Sequence, residues 1–584
     1  MKPIFYKLTF IVSLLTSAAQ AAPVELSDEL PKTVTRIDST TWLLDYGRVA
    51  FGNLRIEPTE SSQDSVTIHF GEAFANGRID RNPPGSVRYA VVDTPLDHSI
   101  SQVIAPTPDK RNTTHLKAVR LPQEWGVILP FRWIEIEAYS GELNPKAFVR
   151  QSAFPSTWDD QAADFECSDP MLNRIWELCR YSIKATSFAG VYVDGDRERI
   201  PYEADAYLNQ LSGYYTDNDI EMARDTFDLL MKQPTWPTEW APHMIFIAKA
   251  DWMHTGDLDW LTPRYESLKT KLLLERVGED GLITSNKRQI KRDDIVDWPP
   301  VERDGFVFTK LNSVVNAFHL KALSDMTELA VACGKVDEAQ HYHQIYKSTK
   351  NAYQKTFFNP KTGLYVDGVG TEHSSFHANV FPLAFDLVPE ANKRSIIEWI
   401  QSRGMACSVY AAQYLMEALF ENGADDYAVE LMLTDTDRSW RHMVESGTTI
   451  TWEAWDQKYK PNQDWNHAWG AAPANILPRY VLGVQSMAPN WETVQIHPRI
   501  ANLNHAKGKV PTPHGPILIE WDREPQFSMT IHLPKKMNTV VRVPRLSDTK
   551  AIYINGEPVT SRLERDYFHL EPKLLELTTF VEVR

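Results

Sequence analysis

Hydrophobic and polar positions change rhythm twice along this chain. From residue 22 to about 157 they alternate over short runs: Thr41–Tyr46, Gly52–Glu57, Ser65–Phe70 and Phe131–Tyr139. Turn-forming residues break these runs, as in Ala75-Asn76-Gly77 and Asn82-Pro83-Pro84-Gly85. Period-two alternation turns every second side chain to one face, so the stretch predicts a β-sandwich. The spacing then becomes helical. Ser168 and Asp169 offer an N-cap, Pro170 suits a first turn, and Leu172, Ile175, Trp176, Cys179 and Ile183 share one face. Further helices are predicted near 203–215, 219–232, 242–254, 260–275, 312–333, 336–356, 376–386, 391–402, 408–421, 424–433 and 467–482, with Gly334 as a helix stop. About twelve helices with no fixed repeat period favour six inner and six outer helices closed into an (α/α)6 toroid over an open solenoid. Alternation returns from about Ser486 in Val494–Ile496, Pro516–Trp521, Met529–Leu533, Thr539–Val543 and Lys550–Ile554, with Asn555-Gly556 as a tight turn. The chain is thus mainly α with β accessory domains. The expected division is an N-terminal β-sandwich over 22–157, a toroid over 158–485 and a C-terminal β-sandwich over 486–584.

Composition narrows the function. A length of 584 residues exceeds one ordinary domain, and 43% hydrophobic residues suffice for a large core. The net charge of -16 argues against a nucleic-acid partner, which would require a basic surface. At the N-terminus Lys2 and Lys7 flank an apolar run from Leu8 to Ala18, followed by Ala19-Gln20-Ala21. This reads as a signal peptide over 1–21 and implies export to the periplasm or beyond. The run is too short to span a bilayer, and no later stretch is apolar enough to do so. Cys167 and Cys179 lie mostly on one predicted helix, roughly 15–18 Å apart and beyond disulfide reach. No Cys/His spacing suggests zinc.

Two segments concentrate candidate chemistry. The first is Asp194-Gly195-Asp196-Arg197-Glu198-Arg199-Ile200-Pro201-Tyr202-Glu203-Ala204-Asp205. A charge run is usually a solvated loop, but this one stands between apolar Phe188–Val193 and a Tyr- and Leu-rich helix. Arg197 and Arg199 could fix the ionisation of neighbouring carboxylates. The second is Gly447-Thr448-Thr449-Ile450-Thr451-Trp452-Glu453-Ala454-Trp455, a carboxylate between tryptophans. Asp464-Trp465-Asn466-His467 follows it, and Trp236, Trp240, Asp251-Trp252 and Asp297-Trp298 lie between the two segments. In a toroid such loops gather at one end. Two carboxylates within aromatic walls suit glycoside cleavage, one protonating the leaving oxygen and the other activating water. No GxSxG, P-loop, HExxH or GxGxxG is present.

At these motifs the chain resembles the bacterial α-L-rhamnosidases of glycoside hydrolase family 78. The similarity extends to Asp45-Tyr46-Gly47, His69-Phe70-Gly71-Glu72, His254-Thr255-Gly256-Asp257 and Pro511-Thr512-Pro513-His514-Gly515. The resemblance implies a sandwich–toroid–sandwich order and an inverting hydrolase of terminal α-L-rhamnosyl residues. It implies Glu198 as general acid and Glu453 as general base. Asp194, Arg197, Tyr202, Asp205, Trp252, Trp298, Trp452 and His467 would bind the sugar, with no cofactor or metal. The chain departs from the family at the shorter Asp194-Gly195-Asp196-Arg197 and at Pro201-Tyr202-Glu203-Ala204, which is expected to place Glu203 in the sugar subsite. Another toroid glycosidase specificity, a non-catalytic sugar-binding protein and a polysaccharide lyase are the alternatives.

Overall fold

The computed structural model describes residues 23–58, 65–97, 99–546, 551–564, 566–570 and 573–583. The signal peptide expected over 1–21 lies outside them. Eight antiparallel strands form the N-terminal β-region. Their main order is Val24–Glu29, Phe148–Pro155, Trp42–Ile56, Leu129–Glu137, Ser65–Gly71, Tyr89–Pro95. The two strands expected over Thr41–Tyr46 and Gly52–Glu57 are one strand of 15 residues. Its register against Leu129–Glu137 shifts between Asp45 and Ala50, where Gly47 takes φ 85°. Asn76 (φ 53°) and Gly77 (φ 78°) form the tight turn expected there.

Helices follow in inner–outer pairs. The inner helices are Glu203–Tyr214, His243–Thr255, Ser313–Ala332, Phe376–Ala384, Val409–Glu421 and the segment from Pro473 to Val481. Each packs on the next, and the last returns to Glu203–Tyr214, which closes the ring. Pro170–Thr186, Glu221–Lys232, Val336–Phe357, Glu390–Gln401 and Asp425–Leu433 lie outside it. Burial separates the two layers. Ser313–Ala332 buries fourteen of its 20 residues, whereas Val336–Phe357 buries five of 22. A helix buried all round has neighbours on every side, and a one-faced helix borders solvent. Asp169 caps Pro170–Thr186 by accepting from the Met171 and Leu172 N–H groups.

Two expected helices are broken. The stretch 260–275 divides into Leu258–Leu261 and Tyr265–Leu268, with Pro263 between them. The stretch 467–482 contains the π-turn Leu477–Val481, where Leu482 N–H reaches Leu477 O five residues back and Pro478 has no N–H to continue the regular ladder. Among the described residues no helix is long and apolar enough to cross a membrane. All four cysteines are free thiols.

Two sheets of seven and six strands make the C-terminal β-region. Asn555 (φ 52°) and Gly556 (φ 82°) turn Ile552–Ile554 into Glu557–Val559, as their sequence predicts. One strand of the larger sheet comes from far upstream. Asp164–Cys167, just before the first toroid helix, pairs with His505–Val510. His254, Gly256 and His514 gather at a seam between ring and C-terminal sheets. Trp491 Nε1 lies 3.4 Å from His254 Nδ1, and His514 Nε2 lies 2.7 Å from Asn490 O. A Cβ on Gly256 would meet Asn490 Cβ at 2.7 Å. These motifs therefore join domains.

The N-terminal β-region backs the ring. Arg88 donates to Asp196 Oδ2 at 2.7 Å, and Asn112 donates to Asp196 O at 2.6 Å. Asn466 Nδ2 donates to Glu72 Oε1 at 2.8 Å. Burial pushes the Glu72 carboxyl up to about 8, and the charges of Asp196 and Asp464 act the same way. The folded chain thus holds a proton that the unfolded chain releases earlier. Stability associated with Glu72 is full below the ordinary glutamate value and declines as pH rises from there towards 8. Glu72→Gln is expected to lessen the fall in melting temperature between about pH 5 and about pH 8.5. Thermal scans at the two pH values check this, and an unchanged difference would mean that Glu72 is ionised in the folded protein.

Candidate active site

Four segments, each leading into an inner helix, build one cavity of about 260 Å3. The first contributes Asp194, Arg197, Glu198 and Tyr202, with Asp205 in the helical turn that follows. Trp236 and Trp240 come from the second, and Ile295 and Trp298 from the third. The fourth supplies Glu453, Lys460, Asn462, His467 and Trp469. The volume lies below the roughly 300–1,000 Å3 of drug-sized sites and suits a single sugar ring.

Backbone geometry locks the acidic loop. Asp194 Oδ1 accepts the Ile200 N–H at 2.9 Å, and Asp194 N–H reaches Ile200 O at 3.0 Å. Gly195 has φ 116°, and a Cβ there would lie 2.9 Å from Asn466 O, so only glycine allows the two loops to approach so closely. Asp196 N–H donates to Asn466 Oδ1 at 2.8 Å, and Arg197 N–H to Asp464 Oδ2 at 3.1 Å. Arg199, with φ 54°, turns away from the cavity to bind Asp196 Oδ1 at 2.6 Å.

Arg197 joins the two candidate carboxylates. Its Nη1 and Nη2 donate to Glu453 Oε2 at 2.8 Å and Oε1 at 3.0 Å, while its Nε lies 3.6 Å from Glu198 Oε1. One guanidinium between them keeps the nearest oxygens within the roughly 9.5 Å upper limit for an inverting pair. Their environments differ. Glu453 is buried, takes the Asp464 N–H at 3.1 Å and has Lys460 Nζ at 3.2 Å. Burial pushes its pKa up, but Arg197, His467 and Lys460 outweigh this and hold it below the usual carboxylate range. The Glu198 side chain is 38% exposed and accepts the Tyr202 hydroxyl at 3.0 Å. Asp194 is pushed well up by burial and by the charge of Glu198. Burial also raises Asp205, against the pull of His467, whose Nε2 is 2.6 Å away.

The cavity unites Glu198, Glu453, Asp194, Arg197, Tyr202, Asp205, Trp298 and His467. Asp297 sets Trp298 in place, accepting from Trp298 N–H at 2.8 Å and Ser408 N–H at 2.9 Å, with His377 Nε2 at 2.6 Å. Trp252 and Trp452 lie elsewhere, contrary to expectation. Trp252 is in the last turn of His243–Thr255, roughly 14 Å along the axis from the rim, under Lys249 Nζ. Trp452 stacks on Trp465 with centroids 5.0 Å apart. Glu203 also leaves the sugar subsite. Its buried carboxylate accepts the Thr235 N–H at 2.8 Å and the Thr235 hydroxyl, anchoring the segment that carries Trp236. Sequence reasoning missed Ile295, Lys460 and Asn462. A lone lysine and asparagine in a polar loop carry no distinguishing signal.

Glu453, Asp464 and His467 each present a possible ligand atom for a metal, all within 4.8 Å of one another, as do His69, Glu135 and Glu137. Positive charge is already supplied at both places, by Arg197 and Lys460 at the first and by Arg78 and Arg81 at the second.

Three family models match this chain. Residues 160–481 match the bacterial alpha-L-rhamnosidase 6 hairpin glycosidase domain, more than half of the sequence. The chain belongs to the bacterial α-L-rhamnosidase family. Residues 483–553 match that family's C-terminal domain and residues 35–92 its concanavalin-like domain. This rhamnosidase-family chain is 23% identical to an alpha-L-rhamnosidase of Alteromonas sp. (strain LOR), covering 92% of its own length and 60% of that protein. It therefore spans well under two thirds of that relative. The structure of the α-L-rhamnosidase from Dictyoglumus thermophilum is similar, with a TM-score of 0.79 at 19% identity, over 96% of this chain and 64% of that one. So is the Streptomyces avermitilis α-L-rhamnosidase complexed with L-rhamnose, with a TM-score of 0.77 at 17% identity, over 97% and 54%. At these identities the likeness establishes the shared fold.

Proposed function

We propose that this chain is an exported glycoside hydrolase that releases terminal α-L-rhamnose with inversion of configuration. The observation that carries this reading is the Glu198–Arg197–Glu453 bridge within a cavity sized for one sugar ring. Family membership and a relative solved with L-rhamnose favour rhamnose as that sugar. Export rests on the charged, apolar and small-residue leader.

In this mechanism Glu198 donates a proton to the glycosidic oxygen as its bond to the anomeric carbon breaks. Water attacks from the opposite face and passes a proton to Glu453. Protons exchanged with solvent reset both groups. Arg197 and Lys460 keep Glu453 ionised, so it faces the developing oxocarbenium charge as an anion. Trp298, Trp240 and Trp469 wall the ring, and Asp205 and His467 offer hydrogen bonds to hydroxyls.

The test is a panel of aryl glycosides followed by proton NMR of the first product. An α-L-rhamnoside is expected to be cleaved and to give β-rhamnose before mutarotation. Activity confined to another glycoside would overturn the sugar assignment. Initial α-product would remove Glu453 as the water-activating base.

A further inference from the structure

A second hollow of about 460 Å3 opens beside Glu198 and shares Arg197, Glu198, Tyr202, Trp236 and Asn462 with the sugar cavity. A general acid sits at the scissile oxygen, between the released sugar and its leaving group. The sugar cavity lies on the Glu453 side of Glu198, so the outer hollow faces the leaving group. Its far wall comes from the N-terminal β-region through Arg111, His115 and Lys117.

That wall is basic although the chain as a whole is acidic. The chain carries a net charge of -16, yet residues 110–120 read Lys-Arg-Asn-Thr-Thr-His-Leu-Lys-Ala-Val-Arg, with no acidic residue. Lys117 Nζ donates to Pro234 O at 2.8 Å and has no carboxylate within ion-pair distance among the described residues. Asp109 takes both Arg111 and Arg88, and Arg88 is held in turn by Asp196, which makes Lys117 the cation of this wall that has no carboxylate of its own. Among the described residues, Glu198 is the only acidic group that lines the hollow. Trp236 also lines the hollow, 41% exposed and available to the apolar face of a sugar.

We infer that the leaving group of this enzyme is an acidic sugar, a uronate or a sulfated residue, whose anion is received by Arg111, His115 and Lys117 while its ring lies on Trp236. This rests on the rhamnosidase reading above. Lys117 Nζ has two further N–H donors beyond the one given to Pro234 O, and an anion would take them in charge-assisted hydrogen bonds that a neutral leaving group cannot match.

Michaelis constants for rhamnosyl-glucose and rhamnosyl-glucuronate test the inference, with an aryl α-L-rhamnoside as the measure of rhamnosidase activity itself. The wild type is expected to show a KM about tenfold lower for the acidic disaccharide. Raising salt from about 50 to about 500 mM should erase most of that preference, because screening shortens the reach of the basic wall. Lys117→Gln should reduce the acidic-to-neutral preference several-fold. A rhamnosyl disaccharide sulfated on its second sugar, in place of the uronate, tells which anion is preferred. Equal KM values for acidic and neutral disaccharides, or an acidic preference indifferent to salt, would overturn the inference. Calorimetric titration of the same disaccharides into Glu198→Gln reads binding without turnover. Failure to cleave the aryl rhamnoside would sink the proposed function. Equal binding of the two disaccharides would sink the acidic leaving group.

Discussion

Glu198→Gln is expected to lose about 10²–10⁴-fold in kcat on rhamnosides with poor leaving groups, the range a positioned general acid supplies. The amide keeps the size of the side chain and can still accept the Tyr202 hydroxyl, but it has no proton to give. The carboxyl is 38% exposed, so its replacement leaves no buried charge unpaired, and the fold should be unaffected. The loss should shrink sharply on nitrophenyl or fluoride leaving groups, which depart without protonation. The measurement is a series of rhamnosides graded by leaving-group pKa. The variant should depend on that pKa far more steeply than the wild type. Parallel lines, with the same loss throughout, would remove Glu198 from the role.

Arg197→Met is expected to damage stability and activity together. Arg197 is the bidentate partner of buried Glu453 and the bridge to Glu198. Breaking a buried ion pair from one side costs about 3–5 kcal/mol, because the remaining charge stays out of water. Lys460 remains, so the cost should fall toward the lower end. The pH dependence follows from the direction of the shift. Glu453 is held below its unfolded value, so the stability it contributes is present above the ordinary carboxylate range and is lost as pH falls through the folded value. Without Arg197 that folded value rises. The acid limb of kcat/KM should move to higher pH, and the stability gained between acidic and neutral pH should shrink. Denaturant unfolding and pH–rate profiles measure both. Adding Glu453→Gln should restore part of the stability and none of the activity, because it removes the stranded charge along with the base. No recovery in the double variant would mean that Arg197 acts through packing instead.

Much of this was legible in the sequence where a local rule and a tertiary need coincide. Asn76-Gly77 and Asn555-Gly556 turn because both positions take φ above zero, and Asp169 caps because a helix start leaves N–H groups unpaired. The loop Asp194–Asp205 reads as a site because so many charges cannot be buried without partners, and those partners are the second motif. Side-chain direction was not legible. In an extended segment neighbouring side chains point to opposite sides, so a Glu453 that faces the cavity turns Trp452 away from it. Trp252 looked like a wall for the sugar because it is an aromatic beside an acid. The site is built from segments that precede the inner helices, and Trp252 lies at the far end of one. Glu203 has the composition of a substrate contact, but it occupies the first turn of a helix and points back at Thr235. Long-range pairing left no trace either: nothing in Asp164–Cys167 announces a partner in the last domain.

That strand ties the end of the chain to the start of the ring. Its hydrogen-bonding partner, His505–Val510, lies some 340 residues further along the chain. Without that partner the strand edge beside the first toroid helix is unpaired, and the C-terminal sheet lacks its border. Completing the molecule therefore reaches back to the first helix, and a chain truncated anywhere before residue 505 lacks the strand on which that seam closes.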